Sequence, residues 1–393
     1  MFSEANGEVV ENAVGATNAL SSLDRCADVT LLRAVIRPPE DAATRAKVTE
    51  LRQRLADLKA RFDAGRWKEA LTTAPALVAD VRSVGYQPLL AESLVLLGTA
   101  FLQANNPREA ERVLQEAFSV ADASRHDEVR AEAASALVYV VGSQEGHFAE
   151  AHLWGQAAAA VLERLGGHDL LNAWLLNDLG CVLELEGRLV EAVQVQQRAL
   201  ALKRKALGPD HPDVGISEVN LAIALQELGR NDEALLHNDR AIDLLKKGLG
   251  NNHPSLAMAF NGGGEIRNAL GRYREARLSF DRARLLWERE LGPENRNLAY
   301  ALTGIGVTYL GEGEPTHALA PLEHALRIRE AVEPEPSKRA ETQFALARAL
   351  WDSKRGRVRG RNLAEQARQE YVKASAKDKV LEIDGWLRGH SAS

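Results

Sequence analysis

The sequence predicts an all-α protein made of about eight stacked helix-turn-helix repeats. Aromatic residues make up only 5% of the chain, and the dominant Ala, Leu, Glu and Arg favour helices packed through small and straight side chains. The second observation is periodic, because an alanine, usually preceded by glutamate, returns every 40 to 42 residues, which is typical of repeat architectures. These marker alanines are Ala70, Ala110, Ala151, Ala192, Ala234, Ala276 and Ala318, and one further period leads to Gly360.

Two more positions repeat in the register of the marker alanines. Seven residues after a marker, the later repeats have a second alanine, namely Ala117, Ala158, Ala199, Ala241, Ala283, Ala325 and Ala367. Five residues before a marker there is a glycine or an asparagine, and both readily adopt the left-handed conformation that ends a helix. These turn residues are Gly65, Asn105, Gly146, Gly187, Gly229, Gly271 and Gly313. We therefore predict a turn between two helices at each of them.

The stretches between repeats predict where one pair of helices ends and the next begins. The connector Leu207–Pro212 reads Leu-Gly-Pro-Asp-His-Pro, and residues 249–254 read Leu-Gly-Asn-Asn-His-Pro. Glycine stops a helix, whereas proline beside a polar cap starts one. Pro107 and Pro315 are predicted to be the first residues of second helices, because the amide proton they lack would be unpaired there.

We expect the repeats to cover residues 47–373. Residues 1–46 are predicted to form an N-terminal helical cap or linker, and residues 374–393 a C-terminal capping helix and tail, because the outer face of a terminal repeat needs a cover. Each repeat alone would expose a hydrophobic stripe, so the array is expected to form one continuous elongated domain.

Charge and cysteine usage argue against several classes of function. The 49 basic and 55 acidic residues are mixed along the chain and give a net charge of -6, so we expect neither nucleic-acid nor membrane binding. Cys26 and Cys181 are far apart and lack ligand-spaced histidines, which argues against a disulfide framework and a metal site. No secretory signal or membrane-spanning segment is recognisable. We therefore expect a cytoplasmic protein without a cofactor.

The best-defined repeat resembles the tetratricopeptide repeat. The residues that carry the likeness are Asn177–Gly180, Gly187-Arg188, Glu191-Ala192 and Arg198–Leu200, together with the connector described above. The extended unit, with its period of up to 42 residues, is similar to the repeats of kinesin light chains. The resemblance implies a right-handed superhelical α–α solenoid whose first helices line a concave groove for a peptide or a partner protein.

The same resemblance implies which side chains face the groove. In the kinesin-light-chain pattern an Asn-Asn-Leu stretch faces the groove, where its amides can bind a peptide backbone. Asn177 and Asn261 match the first asparagine, and Asn220 matches the second. The sequence departs from the pattern at Asp178, Val219, Gly262 and Thr303, and a solvated helix face is the alternative interpretation of the asparagines. The candidate groove residues are Trp174, Asn177, Cys181, Asn220, Asn261, Asn268 and Thr303.

A looser resemblance links the N-terminal part to bacterial, especially myxobacterial, serine/threonine protein kinases, in the half that carries such repeats behind the catalytic domain. It rests on Leu23–Asp28, Leu31–Val35, Pro38–Asp41, Asp63–Arg66 and Glu69–Leu71. No glycine-rich phosphate loop with a strand lysine, His-Arg-Asp loop or Asp-Phe-Gly motif accompanies them, so we predict no enzymatic activity. The resemblance implies a regulatory or substrate-docking portion, with a kinase or its substrate as the partner.

Three further features have a structural explanation. Asn261–Gly264 is glycine-rich but follows a predicted helix, so we expect it to serve helix packing rather than phosphate binding. His211 and His253 occupy equivalent connector positions, and we expect them at helix starts rather than on a metal. The basic stretch Lys354–Arg361 is expected to form a solvated turn, with contact to a phosphate or an acidic peptide as the alternative.

These patterns together favour a protein–protein interaction scaffold that binds a peptide or partner protein in its groove, in bacterial signalling. The alternative hypothesis is the docking portion of a serine/threonine kinase, truncated or separated from its catalytic domain.

Overall fold

The fold is that of a computed structural model, which describes residue 39 and residues 41–332 and 335–390. This part of the chain contains seventeen α-helices and no β-strand. By its internal packing the chain divides into two compact units. The first unit contains the residues up to Arg230 together with Asp243–His253, and the second contains Asn231–Ile242 together with the residues from Pro254 onward.

The first unit is built from consecutive pairs of antiparallel helices. Its helices are α1 (Ala42–Asp63), α2 (Trp67–Val84), α3 (Gln87–Gln103), α4 (Pro107–Ala123), α5 (Asp127–Leu137), α6 (Phe148–Arg164), α7 (Asp169–Leu185), α8 (Leu189–Leu207) and α9 (Pro212–Glu227). Helix α10 (Asn231–Leu249) pairs with α9 in the sequence pattern and contributes residues to both units. The odd-numbered helices are therefore the first helices of repeats, and the even-numbered helices are the second.

The second unit continues the same alternation. Its helices are α11 (Ser255–Ala269), α12 (Tyr273–Leu291), α13 (Arg296–Gly311), α14 (Pro315–Val332), α15 (Pro336–Asp352), α16 (Arg357–Lys373) and α17 (Lys377–Gly389). The described residues thus contain eight helix pairs followed by one unpaired helix. Of the predicted N-terminal cap or linker, residues 1–38 and residue 40 lie outside the described residues, and they include Cys26. The first described helix begins at Ala42, five residues before the predicted start of the repeats.

The marker alanines lie at the contacts between paired helices. Each of them, and each alanine seven residues later, is fully buried. A small residue opposite allows the close approach, as at Gly264 on α11, where a Cβ atom would lie 2.7 Å from the ring of Phe280 on α12. Gly98 faces Leu114, and Gly306 faces Leu322, with the same sequence separation. Helix backbones can approach this closely only where side chains are small.

The turns inside the repeats follow the prediction. All seven predicted turn residues have a positive φ angle, from 57° at Asn105 to 82° at Gly65. Helices α4 and α14 begin at Pro107 and Pro315, as predicted. The His211 ring nitrogen Nδ1 accepts a hydrogen bond from the Asp213 backbone amide at 3.1 Å, so this histidine caps the start of α9.

The first helix of the third repeat departs from regular α-helical geometry. Residues Val138–Gln144, which continue α5, form a π-helix. At the position where other repeats have a small residue, this repeat has Tyr139. The wider π turns bring Gly142 against Ala151 instead. A Cβ atom on residue 142 would lie 2.8 Å from the Ala151 methyl group. The sequence pattern did not indicate this change.

The last inter-helix turn also differs from the prediction. The residue with a positive φ angle is Lys354, at 58°, which lies six residues before Gly360, whereas the other turn residues lie five residues before their marker, so this turn is one residue longer than its counterparts. Only the first part of the basic stretch lies in the turn, because α16 already begins at Arg357. Arg359 forms an ion pair with Glu323, so this charge of the basic stretch is neutralised within the protein.

The unpaired helix α17 packs on the end of the second unit. Ile383 is fully buried, and the Trp386 ring contacts Phe344 edge-to-face, with centroids 5.8 Å apart, as well as Trp351. Arg368 on α16 forms an ion pair with Asp384 at 2.5 Å. These contacts cover apolar surface of the last helix pair. Among the described helices, none is both long enough and apolar enough to cross a membrane.

Candidate functional site

A groove in the first unit is lined by successive first helices. It has a volume of about 480 Å³, and its walls come from α1, α3, α5 and α7. The apolar part of the wall consists of Leu55, Phe62, Val95, Leu96, Val129, Ala136 and Trp174. Because side chains on consecutive first helices converge here, a ligand in the groove would contact several repeats at once.

Charged side chains stand among these apolar groups. Lys59 and Asp63 come from α1, Glu92 from α3, Glu132 from α5 and Asp178 from α7. Burial raises the pKa of the Asp63 carboxyl, although Lys59 opposes the change. Burial likewise raises the pKa of Glu132, again with Lys59 as the largest opposing influence. The groove therefore holds carboxyl groups in surroundings that solvate their charge poorly.

The single lysine of the groove lies among these carboxyl groups. Surrounding protein atoms alone would lower the pKa of Lys59, but the carboxylates, Glu132 and then Asp63, raise it overall. Glu92 is paired at the edge of the groove, where its Oε1 lies 3.2 Å from the Arg52 guanidinium and 3.3 Å from His126 Nε2. The charges of Lys59 and Glu92 are thus both neutralised by groups of the protein.

Asp178 is the most perturbed carboxyl group of the groove. Burial raises its pKa to about 8, and Lys203 on α8 only partly opposes this. Lys203 itself is 3% exposed, and burial lowers its pKa despite the nearby Asp213 and Asp178. Near neutral pH, Asp178 is therefore mostly protonated, and a cation placed beside it would favour its ionisation.

Asn177, the first candidate groove residue, lines the groove but is 8% exposed. Its side-chain oxygen accepts a hydrogen bond from the Ser217 hydroxyl on α9 at 3.0 Å. Its backbone oxygen accepts another from the Gln196 amide on α8 at 3.1 Å. Gly180 leaves the space in which Gln196 lies. Asn177 thus connects three helices in addition to facing the groove.

The other candidates of the first unit differ in position. Trp174 is half-buried and forms part of the groove wall. Cys181 lies near Gln196, with 4.0 Å between the sulfur and the amide nitrogen. Burial raises the pKa of the Cys181 thiol well above its usual value, so the thiol stays protonated near neutral pH. Asn220 is half-buried on α9 and is not among the residues that line the groove.

Three candidates lie in the second unit. The Asn261 amide nitrogen donates a hydrogen bond to Glu265 at 2.8 Å. Asn268 accepts one from the Thr308 hydroxyl at 3.0 Å. The hydroxyl oxygens of Thr303 and Thr342 are 2.9 Å apart and share a hydrogen bond. The last two bonds join first helices of successive repeats, as the bond between Asn177 and Ser217 does in the first unit.

The features for which a structural role is expected occur within helices or beside their ends. Asn261–Gly264 lies inside α11, where Gly264 packs against Phe280. His253 is 8% exposed and lies two residues before the start of α11. Within the described residues, no group of three or more His, Cys, Asp or Glu side chains is placed to hold a metal ion.

The charged residues of the groove are absent from the sequence-based candidates. Lys59, Asp63, Glu92 and Glu132 each stand at a different distance from the marker alanine of their own repeat. Positions that recur between repeats therefore do not indicate them. The sequence feature that could have indicated them is an isolated charged residue inside an apolar first helix, such as Glu92 between Ala91 and Ser93 in a run of leucines.

Comparison with known proteins identifies the repeat. The tetratricopeptide repeat family model matches residues 173–247 and 248–331. The Rap protein complexed with Competence and Sporulation Factor has a TM-score of 0.57 at 15% identity, over 87% of this chain and 97% of that chain. The Cut9-Hcn1 assembly of APC/C gives 0.55 at 18% identity, over 87% of this chain and 59% of that chain.

A protein from Podosopora anserina with nearly identical TPR-like repeats of the kinesin-light-chain kind is 24% identical over 51% of this chain and 94% of that chain, with a TM-score of 0.41. No curated protein sequence matches the chain significantly. The family match falls on α7–α14, and the helix pairs on both sides of it have the same buried alanines and left-handed turns. Residues 173–331 therefore contain tetratricopeptide repeats, and the fold class of the described residues is the all-α, α–α solenoid.

Proposed function

We propose that the chain is a non-catalytic scaffold that binds an extended peptide, or a segment of a partner protein, in the groove of the first unit. The single observation that carries the proposal is the groove itself, which four successive first helices line with apolar walls and a few polar groups. Its volume lies within the range typical of ligand-binding clefts, roughly 300–1,000 Å³. A bound segment would bury apolar surface against Val95, Leu96 and Trp174, which favours binding.

The structural neighbours support this proposal at the level of the fold. The Rap protein, whose fold this chain shares, was solved in a complex with Competence and Sporulation Factor. A groove lined by consecutive helices can hold an extended guest because its length grows with the number of repeats. Asn177 and Trp174 are the sequence-based candidates that line the described groove, and in the proposal both contact the guest.

The proposal is tested by selecting binders from a displayed library of random dodecapeptides on the purified chain. One selected peptide is then labelled, and its affinity is measured by fluorescence anisotropy. Thr99→Trp, which fills the groove from its half-buried wall position, is expected to weaken binding at least tenfold. Leu153→Trp is the matched control, because Leu153 is 64% exposed on α6 and absent from the groove. Failure to enrich any peptide, or equal binding to both variants, would contradict the proposal.

A second candidate function is docking within a serine/threonine kinase system in the bacterial cytoplasm. Its support is the sequence resemblance of the segment Leu23–Leu71, of which residues 23–38 and residue 40 lie outside the described residues. In this version a kinase, or its substrate, supplies the bound segment. Co-expression with the kinase encoded nearest to this chain, followed by co-purification, tests it. Co-purification that Thr99→Trp abolishes would support it, and no co-purification would contradict it.

A further inference from the structure

The groove of the first unit is lined by more carboxyl groups than ammonium groups. Four carboxyl groups line it, from Asp63, Glu92, Glu132 and Asp178, against one ammonium group, from Lys59. Of these carboxyl groups, that of Glu92 lies at the edge of the groove and is paired with Arg52 and His126. Asp63 and Glu132 share the single charge of Lys59, and the remaining carboxyl group is that of Asp178.

The protein already holds one cation in this environment. Lys59 lies in the groove with its pKa raised, because Glu132 and Asp63 outweigh the effect of the surrounding protein. A second lysine, Lys203, is buried, and Asp213 and Asp178 oppose the lowering of its pKa. Asp213 also helps to raise the pKa of Lys59. An additional positive charge beside Asp178 would favour the ionisation of this carboxyl group, which would then attract the charge.

The apolar wall next to these carboxyls contains an aromatic ring. Trp174 and Asp178 are one helical turn apart on α7, and both line the groove. An indole face attracts ammonium and guanidinium groups, most strongly when water is excluded. Val95 and Val129 supply apolar contact on the neighbouring first helices. Carboxyl groups beside an indole and aliphatic side chains suit a cationic side chain with a long aliphatic stem, which is the chemistry of lysine and arginine.

We propose that this groove selects a peptide segment with a lysine or arginine side chain flanked by apolar residues, bound with its charge between Glu132 and Asp178. The inference rests on the proposed function, because it assumes that the groove binds a peptide. Acidic segments are disfavoured, since a like charge beside carboxylates raises the free energy of the complex. The selectivity comes from charge complementarity at the groove, while the affinity comes mainly from the apolar flanks.

The test uses the dodecapeptides selected on the full chain. Enrichment of lysine and arginine over their frequency in the unselected library is expected, and enrichment of uncharged or acidic sequences would overturn the inference while leaving the proposed function intact. If no peptide is enriched, both fail. The labelled peptide is then measured with two variants, Glu132→Gln and Asp178→Asn, each of which is expected to weaken binding about tenfold.

Glu150→Gln is the matched control, because Glu150 is exposed on α6 and does not line the groove. It is expected to leave the affinity unchanged. The circular dichroism spectrum and thermal midpoint of each variant establish that it is folded, and either groove variant alone suffices for the conclusion. Cationic peptides that bind both groove variants and the control equally would overturn the placement of the charge.

Discussion

The Ser217 hydroxyl on α9 donates a hydrogen bond to the Asn177 side-chain oxygen on α7, with 3.0 Å between the two oxygens. Ser217 is fully buried, and the two residues are nearly one repeat apart in the sequence. The bond therefore fixes the first helices of adjacent repeats against each other. The bond also occupies the Asn177 side-chain oxygen, which the sequence pattern assigns to ligand binding. Asn177 therefore stabilises the packing of adjacent repeats as well as lining the groove.

Ser217→Ala is expected to destabilise the chain by about 1–2 kcal/mol, because the buried oxygen of Asn177 would lose its donor. Urea denaturation followed by circular dichroism measures the change. Ser119→Ala is the matched control, since the Ser119 hydroxyl bonds the Gln115 backbone oxygen at an exposed site. An unfolding midpoint equal to that of the control would show that the bond between α7 and α9 contributes nothing.

Gly264→Ala is expected to destabilise the chain by about 1–3 kcal/mol, despite alanine's better helix propensity of roughly 1 kcal/mol. The added methyl group would lie 2.7 Å from the Phe280 ring, which is fully buried and also packs closely against Gly304. Gly385→Ala in α17 is the control, because the nearest atom to its new methyl group is 3.9 Å away. The thermal midpoint should fall for the first variant and rise slightly for the second. A rise for both would contradict the packing role of Gly264.

The contribution of Asp178 to the stability of the chain is expected to fall as pH rises from about 4 to about 8. The folded state holds the Asp178 proton up to a pKa of about 8, whereas the unfolded chain releases it near the ordinary value of 3.8. In that window the folded state binds more protons, so the free energy of unfolding decreases with pH. Asp178→Asn removes this contribution. One pKa unit corresponds to about 1.4 kcal/mol. Between pH 5 and pH 9, the free energy of unfolding of the variant should therefore rise by at least that much relative to that of the native chain.

Urea midpoints of both proteins across this pH range measure the difference. The other groups, including Lys203, Glu132 and Glu184, are present in both proteins, so the comparison isolates the carboxyl at 178. Parallel stability curves for the two proteins would show that Asp178 is not held protonated by burial.

Binding of a cationic peptide is expected to strengthen as pH rises through about 8. Asp178 then becomes ionised in the groove, beside Glu132, while lysine and arginine side chains of the peptide stay charged. Fluorescence anisotropy at pH 6.5 and pH 9 should show tighter binding at the higher pH, and Asp178→Asn should remove most of the change. The affinity should also fall with added salt, because screening weakens the attraction between the charges. Binding that weakens with rising pH would contradict the role of this carboxyl.

Much of the fold could be predicted because the repeat imposes the same local requirements many times. The buried alanines, such as Ala192, follow from the close contact of paired helices, and the left-handed turns, such as that at Gly187, follow from backbone sterics. The π-helix after Leu137 and the longer turn at Lys354 escaped prediction, because each arises from packing at one repeat that the others do not share.

The candidate site was only partly predictable. Of the candidate groove residues, Trp174 and Asn177 line the groove, and Asn177 was indicated by the resemblance to kinesin-light-chain repeats. The sequence pattern did not indicate Glu132 and Lys59, which come together only when α1 and α5 line a common groove. Hydrogen bonds between repeats, such as that between Thr303 and Thr342, also depend on helix packing that a one-dimensional pattern does not specify.

The most direct test of the account locates the bound peptide by photo-crosslinking. A selected peptide with a benzophenone side chain next to its lysine or arginine is irradiated on the full chain, and the cross-linked residues are identified by mass spectrometry. The account predicts cross-links to α1, α3, α5 and α7, around Thr99 and Trp174, that excess unlabelled peptide suppresses. Suppressible cross-links confined to the second helices, such as α6 around Leu153, or to the second unit would contradict it.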